Sequence, residues 1–274
     1  MSYDELFILL NIPDPMKPTA DLHQVIKGSY TQDRTALGRA MWLLNMDRFK
    51  NWADIKMYAS DLILVNGHLS GLTRGKISPL SVLAATLASL PLSSPQTLIL
   101  SHFCGLHTNP RDPMAGPRGM LRSLIAQLLL IQRAEHAFTT VNLDETLVHQ
   151  VLNHDLSGLC DVFRALLMQV HPETTVYCVL DNISEFEARQ FGWEDEMSEV
   201  VYFLQTMMMP GQPRFGPKLK FLLTAASRSI RVHRQLHPAD VISLSAAHVN
   251  SHSVQKLSLQ KDCQRAISPG PGPD

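Results

Sequence analysis

Between residues 61 and 246, short apolar runs alternate with stretches of helical period, and this alternation constrains the fold more than any other feature of the chain. LILV (62–65), TLILSHFC (97–104), TTVYCVLD (174–181), KLKFLLTA (218–225) and ADVISLSA (239–246) read as strands. Residues 78–90, 118–132, 156–170 and 193–209 read as helices. The first of these opens on Ser78 as N-cap with Pro79 at the first helical position, a strong start signal. The last carries acids in its first turn, where the helix dipole favours them. Strands spaced by helices predict βαβ units. The expected fold is α/β: a three-layer, mainly parallel sheet with helices on both faces.

On either side the pattern changes. Residues 1–60 predict a helical N-terminal extension, with DELFILL and ALGRAMWLL separated by the breaker-rich NIPDPMKPT. Trp42, Phe49 and Trp52 are expected to anchor it on the core. Residues 247–274 lose periodicity and end in Pro and Gly, which predicts a disordered tail. A formal net charge of −1 offers no electrostatic footprint for nucleic acid or an anionic membrane. No apolar run reaches the roughly 18 residues a membrane helix needs. The scattered Cys104, Cys160, Cys178 and Cys263 are expected to be reduced and mostly buried, as in a cytoplasmic protein.

Residues 61–81, DLILVNGHLSGLTRGKISPLS, carry the first candidate site. An apolar strand enters a Gly-containing turn, then a lysine, then a helix start, the order a phosphate-binding loop requires. Against the pattern G-x-x-x-x-G-K-[ST], Gly75 and Lys76 fit, Ser70 stands beside Gly71 where the first glycine belongs, and Ile77 replaces the Mg²⁺-binding hydroxyl. Ser78 follows one residue late. Pro79 removes a backbone N–H where phosphates need donors. Two further strand ends carry polar groups: Asp181 with Glu185 four residues on, and Thr224 with Ser227 and Arg228. An acid at a strand's carboxyl end reaches the crevice where ligands of such sheets bind.

The ordered set resembles the STAND class of P-loop NTPases, in the NACHT or nephrocystin-type form abundant in filamentous fungi. His102-Phe103-Cys104 matches an "HFFC"-like strand end, residues 121–129 match a helix of the "LLRSLIxQLL" kind, with Asp112 in the loop before it, Val179–Glu185 a Walker B segment, and Leu222–Arg228 an "LLTSRP"-like strand end. The resemblance implies nucleotide binding by Gly71, Gly75, Lys76, Ser78, Asp181, Thr224 and Arg228. ATP or GTP would be the ligand, with Mg²⁺ held by Asp181 through water and Glu185 polarising the attacking water. It also implies protein partners, including further copies of the chain. The departures are Ile77, Ser184 at a second Walker B acid, and extra residues between Thr224 and Ser227. They lead to the expectation of a degenerate module, a signalling or interaction scaffold with weak or absent nucleotide binding. A slow Mg²⁺-dependent ATPase or GTPase and a purely structural fragment are the alternatives.

Structural roles compete at each position. Gly71, Gly75 and Lys76 can form a plain strand–helix turn, Asp181 a turn carboxylate, and Thr224 and Arg228 a capping hydroxyl and a surface cation. Arg122, on an apolar helix, predicts a structural ion pair. His102, Cys104 and His107 lack an evident fourth ligand for structural zinc, and Cys104 reads as an inert buried thiol. Met207, Met208 and Met209 predict core or partner contacts.

Overall fold

The computed structural model describes residues 2–28, 38, 41–54, 57, 59–69, 77–90, 96–134, 144–187, 189–209, 216–244, 261, 263 and 264. Five parallel strands form its centre: β1 (Asp61–Asn66), β2 (Thr97–Phe103), β3 (Thr175–Asp181), β4 (Lys218–Ala225) and β5 (Val241–Ser243). Their order is β2-β3-β4-β1-β5, so β4 lies between β1 and β3.

Alternate residues of each strand feed opposite cores, as the period of two demands. Leu62 and Leu64, Val176, Cys178 and Leu180, and Leu219, Phe221 and Leu223 face one side. Ile63 and Val65, Tyr177 and Val179, and Leu222 face the other. Both faces are apolar because both are covered, the condition a parallel sheet requires. The first is covered by α1 (Tyr3–Leu9), α5 (Gly116–Ala134), α6 (Glu145–Leu152), α7 (Leu156–Leu167), α8 (Trp193–Met207) and the short α9 (Arg231–Gln235). The second is covered by α2 (Lys17–Gly28), α3 (Asp47–Ala53) and α4 (Pro79–Ala88). This is the predicted three-layer α/β arrangement.

Phe49 and Trp52 anchor α3 as expected, with Trp52 edge-on to Tyr177 at 5.5 Å, while Trp42 is half-buried. At the opposite edge from the strand tips, Arg48 ties α3 to β1 and to the turn before β5, reaching Asp61 at 2.7 Å and Asp240 at 3.0 Å.

The structure departs from the sequence reading in several places. Helix α2 begins inside the stretch read as a breaker, because Pro18 sits in the first turn, where its missing N–H costs nothing. Helix α6 has an Asp144 N-cap that accepts from Leu147 N, a short-range signal in a segment left unassigned. Strand β2 ends at Phe103, and Cys104 starts a tight 3₁₀ turn. The last strand spans only Val241–Ser243, after a 3₁₀ turn at Pro238–Asp240. Among the described residues Arg122 forms no ion pair. It donates to the carbonyls of Leu10 at 2.7 Å, Pro113 at 2.9 Å and Asn11.

Cys104, Cys160 and Cys178 are free and buried, and burial raises their thiol pKa. That describes inert core thiols. Met207 and Met208 pack partly against the core and Met209 is exposed. Among the described residues no helix is long and apolar enough to cross a membrane, and no group of His, Cys, Asp and Glu is arranged to hold a metal ion. Most of the predicted tail lies outside the described residues, but Cys263 is buried in the second core.

Candidate functional site

The site is built where β1, β3 and β4 end. Gly71, Gly75 and Lys76 lie outside the described residues; the flanks of their segment do not. On the near flank the chain does not leave the sheet after β1. Gly67 N donates to Ala225 O at 2.8 Å, His68 N to Ser227 O at 3.0 Å and Leu69 N to Ala226 O at 3.0 Å. Gly67 is required by this approach, since a Cβ there would sit 2.8 Å from Ala226 O and 2.9 Å from a Leu80 methyl.

The far flank is the start of α4. Ser78 and Ser81 form a reciprocal capping box: Ser81 N donates to Ser78 Oγ at 3.1 Å and Ser78 N to Ser81 Oγ at 3.0 Å. Val82 N is taken by Ser78 O at 3.1 Å, and Pro79 has no N–H. A helix start binds phosphate through amides left free by the helix. Here most of the first-turn amides are consumed internally. Ser78 is thus a buried cap, and Ser78→Ala is expected to cost about 1 kcal/mol in urea unfolding.

Asp181 ends β3 and is buried, 1% exposed. Thr224 Oγ1 donates to its Oδ1 at 2.6 Å, and Asn182 N donates to Thr224 Oγ1 at 2.9 Å, so two of the predicted strand tips meet. The other oxygen, Oδ2, is buried and has no hydrogen-bond partner among the described residues. The nearby hydroxyl on α4 is Ser81, which helps hold the carboxyl down although its hydrogen bond runs to Ser78 at 3.0 Å. Burial raises the pKa of Asp181 to about 6, against the Ser81 and Thr224 hydroxyls and the Asn182 backbone, and the Glu185 charge adds to the rise. Leu80, directly before Ser81, is 2% exposed beneath Gly67.

Asn182 follows in left-handed backbone, φ 55°, which asparagine tolerates well. Its side chain accepts from Ala226 N at 3.1 Å and Ser184 Oγ at 3.0 Å, and donates to Glu185 at 3.3 Å. Glu185 is therefore half-buried beside the β3 tip. Arg228 is exposed and reaches His233 Nε2 at 3.1 Å, away from the Asp181–Thr224 pair's hydrogen bonds.

Sequence reading missed Glu187, Asn66 and Ser229. Glu187 accepts from Ser229 Oγ at 2.8 Å and from the amides of Ile230, Arg231 and Val232 at 2.9–3.1 Å, filling the start of α9 with protein carboxylate. Asn66 Oδ1 accepts from Ser229 N at 2.9 Å, binding the β1 tip to the loop after β4. No local spacing reveals such pairs, because the partners lie far apart in sequence.

A five-stranded parallel sheet with β4 inserted between β1 and β3, a helix opening after β1 and a buried acid ending β3 define a P-loop NTPase-like domain. The chain matches the family described as Nephrocystin 3, N-terminal, over residues 38–226, and it belongs to that family. No curated protein and no solved structure gives a match.

Proposed function

We propose that the chain is a degenerate STAND/NACHT-like NTPase module that works as an interaction or signalling scaffold in the cytoplasm, with weak or absent nucleotide binding. The single observation that carries this reading is the closed start of α4. Its caps are internal, Pro79 lacks a donor, and Leu80 fills the space beneath Gly67. A metal-linked or charge-assisted contact is worth about 1.5–3 kcal/mol, so losing one weakens binding roughly tenfold to a hundredfold. Membership of the nephrocystin 3 N-terminal family is compatible with a scaffold. Its partners would be proteins, further copies of the chain among them.

The unpartnered Oδ2 of Asp181 beside Ser81 favours a second reading, a slow Mg²⁺-dependent ATPase or GTPase. Lys76 would meet the β and γ phosphates, Asp181 would hold Mg²⁺ through water, and Glu185 would orient the attacking water. Titration with a fluorescent ATP analogue, with and without Mg²⁺, separates the two. The scaffold reading expects no saturation at millimolar nucleotide. Saturable, Mg²⁺-dependent binding that Lys76→Ala abolishes would favour the enzyme.

A further inference from the structure

Outside the strand-tip network, a second cluster of ionisable groups is buried where α2 passes the end of β2. His107 follows the Cys104–Leu106 turn and is 1% exposed. Its Nε2 lies 2.8 Å from Asp21 Oδ2 on α2, and its Nδ1 lies 2.7 Å from Asp112 Oδ2 in the following loop. Asp21 is itself 3% exposed, with Lys17 Nζ 2.8 Å from its other oxygen. The His102 ring stacks on His107 at 4.8 Å. Among the described residues, Asp21 and Lys17 on α2, Asp112 in the loop and His102 on β2 are the charged or titratable groups that face the imidazole.

An ionised carboxylate only accepts hydrogen bonds, and a neutral imidazole has a single N–H. Two carboxylates can both be satisfied only by an imidazolium. In the neutral ring one lone pair would face a carboxylate oxygen at hydrogen-bond distance. We propose that Asp21, His107 and Asp112 form a proton-operated latch, which clamps α2 to the domain while both ring nitrogens carry protons and releases it when one is lost. Burial opposes the charge on His107, but Asp21 and Asp112 outweigh it and hold the pKa above its usual value. His102 stays neutral, because burial and then the His107 charge push its pKa well down.

The latch has something to control. Val25 of α2 is buried in the second core, α2 packs on α4, and a Cβ on Gly28 would meet the Ile77 side chain at 2.5 Å. Helix α2 therefore covers α4 up to the residue before Ser78. A histidine pKa raised by docking stabilises the docked state fully below the free value, and that contribution is lost as pH rises through the docked value.

The test is hydrogen exchange on the full chain from about pH 6 to pH 9, corrected for intrinsic rates, comparing residues 17–28 with β3 and β4. Protection of 17–28 is expected to fall with rising pH, by about tenfold for each pH unit separating the docked pKa from ~6.5, while the strands hold. His107→Gln should remove the dependence and Asp112→Asn should flatten it. Constant protection of 17–28 across the range overturns the latch, as does an unaltered decline in His107→Gln. If that variant does not fold, the imidazole resonances of His107 in the natural chain decide. Titration above the ordinary histidine value is the expected result, and a ring already neutral at about pH 6 overturns it.

Discussion

Replacing Arg122 with alanine is expected to destabilise the chain by about 2–4 kcal/mol, a large loss for a single position. Arg122 is 5% exposed, and its guanidinium donates to carbonyls of Leu10, Asn11 and Pro113. Those carbonyls belong to the end of α1 and to the loop before α5, so one side chain fastens the amino-terminal turn to the domain. Asn11 is in left-handed backbone, φ 46°, which turns its carbonyl and that of Leu10 toward the cation. Burial lowers the Arg122 pKa, but arginine does not give up its proton in proteins, and the charge is tolerated because carbonyl dipoles surround it. Truncation removes three charge-assisted bonds and leaves the buried Leu10 carbonyl unmet, while Asn11 and Pro113 are exposed residues whose carbonyls can turn to water. Arg122→Lys should recover only part, since an ammonium lacks the planar fork that spans separated acceptors. Urea unfolding measures both variants. A loss below about 1 kcal/mol for Arg122→Ala would show that the carbonyls find other partners.

Asp181→Asn is expected to act in the opposite direction and to stabilise the chain at neutral pH. The carboxyl pKa is raised from 3.8 to about 6 in the folded chain. A folded state that holds a proton more tightly than the unfolded chain loses stability as pH rises between those two values. At ~1.4 kcal/mol per pH unit, ionisation of Asp181 costs roughly 3 kcal/mol at pH 7. Asparagine can still accept from Thr224, and its amide nitrogen would face the Ser81 hydroxyl, which can accept. The expected gain in urea unfolding is about 2–3 kcal/mol at pH 7, shrinking toward pH 4 as the natural carboxyl takes up its proton. A variant less stable than the natural chain at pH 7 would show that Oδ2 is satisfied.

Much of this arrangement was legible in the sequence, for reasons that can be located. The strands β1, β3 and β4 are continuous apolar runs because both faces of the sheet are buried, so their extent is written in composition. Ser78 and Pro79 announced α4 because capping is a contact within a few residues. The Asp181–Thr224 pairing was anticipated only as two strand tips at one edge, since register comes from the sheet and not from either segment. Arg122 was misread because an arginine on an apolar helix suggests a carboxylate, and nothing local points to carbonyls more than a hundred residues away. That the hydroxyl beside Asp181 belongs to Ser81 and not to Ser78 was hidden for a related reason. Lys76 drew the motif toward the linear pattern, while the neighbour of Asp181 is set by how α4 lies against β3.

The central claim is that the start of α4 is closed to phosphate. Its most direct test is the urea midpoint of the full chain with and without millimolar Mg-ATP or Mg-GTP, because a ligand that binds only the folded state must raise stability by mass action. The closed helix start predicts the same midpoint in every condition. A rise of about 1.4 kcal/mol, the effect of ligand near ten times its dissociation constant, that vanishes in Lys76→Ala would contradict it.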